Sequence, residues 1–223
     1  IPLAEKIGKN RYLLAIRDGF LLTTPLLIIG SFFLLVANFP IPNWVEFWAK
    51  FFGDNWTSYM SKPTNATFDI MAIFAVIGIA YSFSRELNVD KLSGAAVALV
   101  SWFILMPYSV TDGNVTLPGI PLGWIGSKGI FVGIITAFIS VHIYAFVKKK
   151  GWMIKMPEGV PPAVTQSFEA LVPSAVVLTI FFLINILFSL TPYGNAFDFI
   201  FKCLQGPLQS LGSTCLLYTS DAA

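Results

Sequence analysis

Charge is what this sequence has least of. Acidic and basic residues together make up 12% of 223 residues, about half the share of a soluble domain. One histidine and two cysteines are present, and Cys203 and Cys215 have neither metal-ligand spacing nor the numbers for a disulfide framework. No glycine-rich phosphate loop and no nucleophile–base constellation can be found, so we expect no cofactor, no metal and no self-contained active site. A net charge of +2 is too small to suggest a nucleic-acid partner, and the cations sit in loops instead of on one binding face. The chain opens with Ile-Pro and carries no evident cleavable signal, so its true start is expected upstream.

What the sequence does have is long apolar runs. Hydrophobic residues reach 56% and the mean hydropathy is +0.74, which overrides any length-based expectation of soluble domains. Residues 20–39 hold no charge, and thirteen of those positions are Leu, Ile, Val or Phe. At about −0.3 to −0.6 kcal/mol each, they contribute roughly −4 to −8 kcal/mol toward insertion. Pro25 lies inside this run and predicts a kink. A second span is read over 70–84, lengthened by 64–69 with Asp69 near its outer end. A third covers 92–111, a fourth 129–147 and a fifth 171–190. Gly94, Ala95, Ala96 and Ala98 open the third, and Gly129 and Gly133 the fourth, small residues that let helices approach closely.

Amphipathic segments join these runs. Residues 3–17 carry Lys6, Lys9, Arg11 and Arg17 among apolar residues and read as a surface lead-in. Trp44, Phe47, Trp48, Phe51, Phe52, Trp56 and Tyr59 fall on one helical face and predict a helix lying flat at the headgroups. An aromatic sugar platform is the rarer use of such a face. Phe197, Ile200, Phe201, Leu204, Leu208 and Leu211 make a second stripe of this kind, and the Gly- and Pro-rich residues 111–128 read as a loop. With ten cations on the loops of one side and four on the other (Lys50, Lys62, Lys128, Lys202), the amino terminus is placed in the cytosol. The fold class is thus an all-α polytopic membrane protein with about five transmembrane helices plus interfacial amphipathic helices.

Two ionisable residues invite a functional reading. His142 lies within the fourth span, where a neutral imidazole bonded to a carbonyl is the commoner outcome. Asp18, beside Arg17 at the start of the first span, reads as a neutralised pair before a proton-handling carboxylate. Asn55, Asn65 and Asn114 match a glycosylation sequon too short to carry weight.

The connection over 148–173, KKKGWMIKMPEGVPPAVTQSFEALVP, is the most individual stretch. Lys148, Lys149, Lys150 and Lys155 crowd its start. Pro157, Pro161 and Pro162 punctuate it, and the last two suit the first turn of a helix. Val160, Val164, Phe168 and Leu171 predict a short helix with one apolar stripe, stopped near Pro173. The segment IKMPEGVPPAVTQSFEALVP resembles the cytosolic connection of the sugar-translocating IIC subunits of bacterial phosphotransferase systems, in the lactose, cellobiose and diacetylchitobiose family. AIRDGFLLTTPLLIIGSFFLL, over 15–35, is similar to that family's opening segment, and the likeness covers nearly all of 1–212.

The resemblance implies uptake of a β-linked disaccharide or oligosaccharide in the bacterial cell membrane. A cytosolic IIB partner would phosphorylate the sugar from a phosphocysteine, so the assembled system is a phosphotransferase although no catalytic residue lies in this chain. The first five spans would form a dimerising interface domain in contact with membrane lipid, giving a homodimer. The family's sugar-contacting histidine and glutamate lie in a later half and match no position in this sequence, His142 included; nor does Cys203 stand for the IIB cysteine. Residues 1–214 are accordingly read as the amino-terminal membrane domain of such a permease. CLLYTSDAA, over 215–223, is read as a non-native tail. Met156, Pro157, Val160, Pro161, Pro162 and Phe168 are the candidate surface toward IIB or the moving sugar domain. An inactive dimerising scaffold and an ion-coupled secondary transporter are the alternatives.

Overall fold

A computed structural model describes Gly8 and residues 10–112, 115–157 and 159–204. Lys6 and Lys9 of the lead-in, Asn114, Leu208, Leu211, Cys215 and the 215–223 tail lie outside the described residues. Helix α1 (Arg11–Ala37) begins at Asn10, whose side-chain oxygen accepts a hydrogen bond from the Tyr12 amide. It is followed by α2 (Trp44–Phe52), α3 (Trp56–Phe68), α4 (Met71–Glu86) and α5 (Lys91–Leu105). A hairpin of β1 (Ser109–Asp112) and β2 (Val115–Pro118) leads to the single turn α6 (Leu122–Ile125). Helices α7 (Ile130–Lys149) and α8 (Pro162–Ser189) follow, and 196–204 is again helical. Among the described residues, four helical segments are long and apolar enough to cross a membrane: Arg11–Ala37, Trp56–Glu86, Ser127–Lys149 and Val164–Ser189.

Small residues decide how these helices meet. Gly19 of α1 faces Gly78 of α4 so closely that a Cβ on Gly78 would lie 2.6 Å from the Gly19 carbonyl oxygen. Gly94 packs α5 onto Ser84 and Val141, and Gly133 packs α7 onto Val76, as the small-residue spacing predicts. The core between α4, α5, α7 and α8 is filled by Ile79, Phe83, Trp102, Val141, Tyr144 and Val177, all buried. Outside it, Ile28, Phe32 and Leu35 on α1, Leu183 and Leu187 on α8, and Leu190 just past its end stand exposed. That is the reverse of a soluble protein and the expected surface toward lipid.

Three contacts place four helix ends on one face, and the short turn from Glu86 to Lys91 adds a fifth. Arg85 reaches Asp18, Tyr12 reaches His142, and Lys148 reaches Glu169. The start of α1, the end of α4, the start of α5, the end of α7 and the start of α8 therefore lie together. Of the described cations, Arg11, Arg17, Arg85, Lys91, Lys148, Lys149, Lys150 and Lys155 belong to this face.

Several expectations are corrected. The third span does not run through 92–111: α5 ends at Leu105, Met106 turns extended (φ −76°, ψ 140°), and the chain enters a hairpin. Pro107 is the reason, since its ring disfavours a helical residue before it. The hairpin pairs Ser109 with Pro118 and Asp112 with Val115, where only a loop is expected. The aromatic segment is two helices, broken at Gly53, whose φ of +82° is a left-handed value that favours glycine. Its second half, α3, runs from Trp56 into the second span with a step at Asp69–Ile70. Trp56 is buried against Trp48, whereas Phe47, Phe51, Phe52 and Tyr59 stand exposed, so part of the aromatic face packs inward and part stays open. Finally, α8 does not stop near Pro173 but runs on to Ser189. A proline removes one helical bond, and a membrane offers no water to take a chain end, so continuing costs less than breaking.

Candidate functional site

The connection between α7 and α8 starts from a specific helix ending. Gly151 adopts φ +76°, its amide donates to the Lys148 carbonyl at 3.0 Å, and the Trp152 amide donates to the Val147 carbonyl at 3.3 Å. This pair of bonds is a Schellman closure, in which glycine takes the left-handed position and two terminal carbonyls find donors. The chain then runs without regular structure as far as Pro157, and Gly159 is again left-handed at φ +102°. Pro161 is extended (φ −55°, ψ 138°) and caps α8, and Pro162 occupies its first turn, where a missing N–H is harmless. The Pro161 carbonyl accepts from the amides of Val164 and Thr165 at 3.0 and 3.1 Å.

The six candidate residues divide by exposure. Pro157, Pro161, Pro162 and Phe168 are exposed, whereas Met156 and Val160 are half-buried. Val160 precedes the helix and so is not part of its stripe, contrary to the spacing argument. Val164, Phe168 and Leu171 do form one, and all three are exposed (41, 40 and 53%), so the stripe is unpartnered among the described residues. Glu169, on the same first turns of α8, holds Lys148 at 3.8 Å, tying the two ends of the connection together. A partly exposed pair of this kind contributes at most about 1 kcal/mol.

Beside the connection lies a second polar group that the sequence only half reveals. Asp18 accepts from Arg17 at 2.7 Å and from Arg85 at 2.6 Å. The neutralised pair with Arg17 is as expected; Arg85, 67 positions away, is the partner that no local pattern could supply. His142 donates from Nδ1 to the Phe138 carbonyl at 2.9 Å, because a carbonyl can only accept, and its Nε2 faces the Tyr12 hydroxyl at 3.2 Å. Phe83 packs against both rings, at 5.3 Å from Tyr12 and 4.9 Å from His142, and Phe138 packs against Tyr12 at 5.2 Å and Phe83 at 4.9 Å. With both nitrogens engaged, His142 is a joint between α1 and α7. Cys203 is exposed on the helical stretch 196–204, and Asp69 caps α3 at the opposite face.

Comparison with known proteins gives consistent matches. A family model described as "Phosphotransferase system, EIIC" matches residues 17–218. The PTS system cellobiose-specific EIIC component of Geobacillus stearothermophilus is 41% identical over 221 residues, covering 96% of this chain and 49% of that protein. The lichenan permease IIC component of Bacillus subtilis is 40% identical over 221 residues, covering 96% of this chain and 49% of that protein. The crystal structure of the transporter ChbC, the IIC component from the N,N'-diacetylchitobiose-specific phosphotransferase system, is similar at a TM-score of 0.90 and 44% identity. It covers 95% of this chain and 50% of that chain. The chain thus spans about half the length of the curated relatives it matches.

Proposed function

Because the chain belongs to the EIIC family of the phosphotransferase system, we propose that it forms the scaffold half of a sugar-translocating permease. The permease takes up a β-linked disaccharide or oligosaccharide and passes it to a cytosolic IIB component for phosphorylation. The observation that carries this reading is a likeness running along nearly the whole chain, in sequence and fold together, to proteins named for cellobiose, lichenan and N,N'-diacetylchitobiose. The cation-rich face is the cytosolic one by the positive-inside tendency, which puts the start of α1 and the 148–173 connection inside. Residues 1–214 are the interface-forming domain, two copies associate through it and lipid covers the remaining apolar surface; 215–223 are read as a tail, although the family match runs four residues into it, to 218.

On that cytosolic face the proline-fixed backbone at Pro157, Pro161 and Pro162, with Phe168 beside it, presents a surface to IIB or to the moving sugar domain. Met156 and Val160 support this surface from beneath. The exposure of the Val164–Phe168–Leu171 stripe favours an apolar partner there.

A chimera tests the proposal. Residues 17–204 replace the matching part of the cellobiose-specific relative, and uptake of labelled cellobiose is followed in cells with and without IIB and phosphoenolpyruvate. Accumulation of sugar phosphate only when both are present is expected. Accumulation of unmodified sugar without them would favour an ion-coupled transporter and reject the proposal.

A further inference from the structure

We propose that residues 146–155 form a headgroup-level anchor for anionic phospholipid, made by Lys149, Lys150 and Lys155 around the Trp152 ring. Depth is the first argument. Helix α7 has 20 residues, about 30 Å of rise, which matches the hydrocarbon thickness of a bilayer and puts its last residues at the headgroups. The Schellman closure at Gly151 then ties Trp152 to the helix end, so its ring stays within about one turn of that depth.

Chemistry is the second. Phe146, Trp152 and Ile154 are 57, 58 and 40% exposed, three apolar side chains open to the surroundings at and just past the end of α7. The Lys150 ammonium lies 5.6 Å from the centre of the Phe146 ring, its stem laid along an apolar surface and its charge at the boundary. Four lysines fall within 148–155, and the next acidic residue along the chain is Glu158. Glu169 engages Lys148, and Lys149, Lys150 and Lys155 are exposed with no acidic partner among the described residues. Clustered cations beside an amphipathic indole fit phosphate oxygens above and acyl chain below. A soluble protein partner would have to enter the headgroup layer to reach Trp152, whereas a phospholipid is already there. Neither the sugar nor IIB enters this inference, so it stands or falls apart from the proposed transport.

The protein is reconstituted into bilayers holding an equal mole fraction of brominated phosphatidylglycerol or brominated phosphatidylcholine. The contribution of Trp152 to quenching is taken as wild type minus Trp152→Phe. Each lysine beside an anionic surface gives a factor of about five, so brominated phosphatidylglycerol should quench Trp152 severalfold more strongly than brominated phosphatidylcholine. The preference should vanish in K149Q/K150Q/K155Q and shrink with added salt, while quenching by both lipids persists. Single Lys→Gln variants should lose it in steps, which keeps the test open if the triple variant folds poorly. Equal quenching by the two lipids in the wild type overturns the proposal, as does a preference untouched by the lysine variants. Trp152 left unquenched by either lipid overturns it too, and would mark a loop docked on protein.

Discussion

Gly78→Ala is the sharpest test of how the bundle is held, because its sign alone discriminates. The added Cβ would sit 2.6 Å from the Gly19 carbonyl oxygen and 3.0 Å from the Gly19 Cα, where ordinary contact begins at 3.4 Å. Helices α1 and α4 must therefore part by about 0.8 Å, the difference between 3.4 and 2.6 Å. Both opposing atoms are backbone, so no side-chain rotation relieves the clash. Overpacking of this kind costs about 1–3 kcal/mol. Against it stands a gain of about 1 kcal/mol for alanine over glycine within a helix. The net expectation is a loss of roughly 0–2 kcal/mol.

Gly19→Ala meets the Ile79 amide nitrogen at 2.6 Å and should behave alike. The double variant should cost less than the sum, since helices already parted admit the second methyl more easily. Unfolding of detergent-solubilised protein by titrated SDS, followed by far-UV circular dichroism, gives the midpoints. Gly123→Ala is the reference, because a Cβ there meets nothing within 4 Å. If Gly78→Ala raised stability by about 1 kcal/mol, as an unopposed helical alanine would, the close crossing would be refuted.

Three further outcomes follow from contacts described above. Tyr12→Phe keeps the ring packing with Phe83 and Phe138 but removes the hydroxyl from His142, and should cost about 0.5–1.5 kcal/mol in the same SDS titration. No loss there would remove His142 as a joint. Thr136 is buried and its hydroxyl has no hydrogen-bond partner, so Thr136→Val should be neutral or stabilising by up to about 2 kcal/mol. A clear destabilisation would contradict the unpartnered hydroxyl. Replacing Pro161 and Pro162 by Ala in the chimera should lower IIB-dependent phosphorylation of sugar; unchanged rates would count against the presented surface.

The apolar spans were legible because insertion depends on summed composition, which a sequence states directly. Helices α1, α7 and α8 follow from charge-free runs, and the small residues at Gly94 and Gly133 from their spacing. Helix ends were less legible where a local and a global preference compete. Pro107 stops α5 although apolar residues continue past it, whereas Pro173 fails to stop α8 because its surroundings offer a broken end no partner. Contacts between distant segments were not legible at all. Arg85 on Asp18, Tyr12 on His142 and Gly19 on Gly78 join α1 to helices far along the chain, and nothing in the periodicity of either partner names the other. The connection was recognisable by its prolines, yet the role of Gly151 in fixing Trp152 shows only once the backbone is seen.

The brevity of α5 reaches beyond the bundle. Fifteen residues rise about 22 Å, some 8 Å less than a typical hydrocarbon layer, and Leu92 and Val100 on its flank are 75 and 45% exposed. Where lipid borders that flank, as proposed above for the apolar surface, it must dip to meet the helix ends, at a cost of fractions of a kcal/mol for every ångström of dip. Bilayers built from shorter acyl chains should accordingly hold the folded protein to a higher melting temperature than thick ones, a gradient that a series of reconstitutions would read directly.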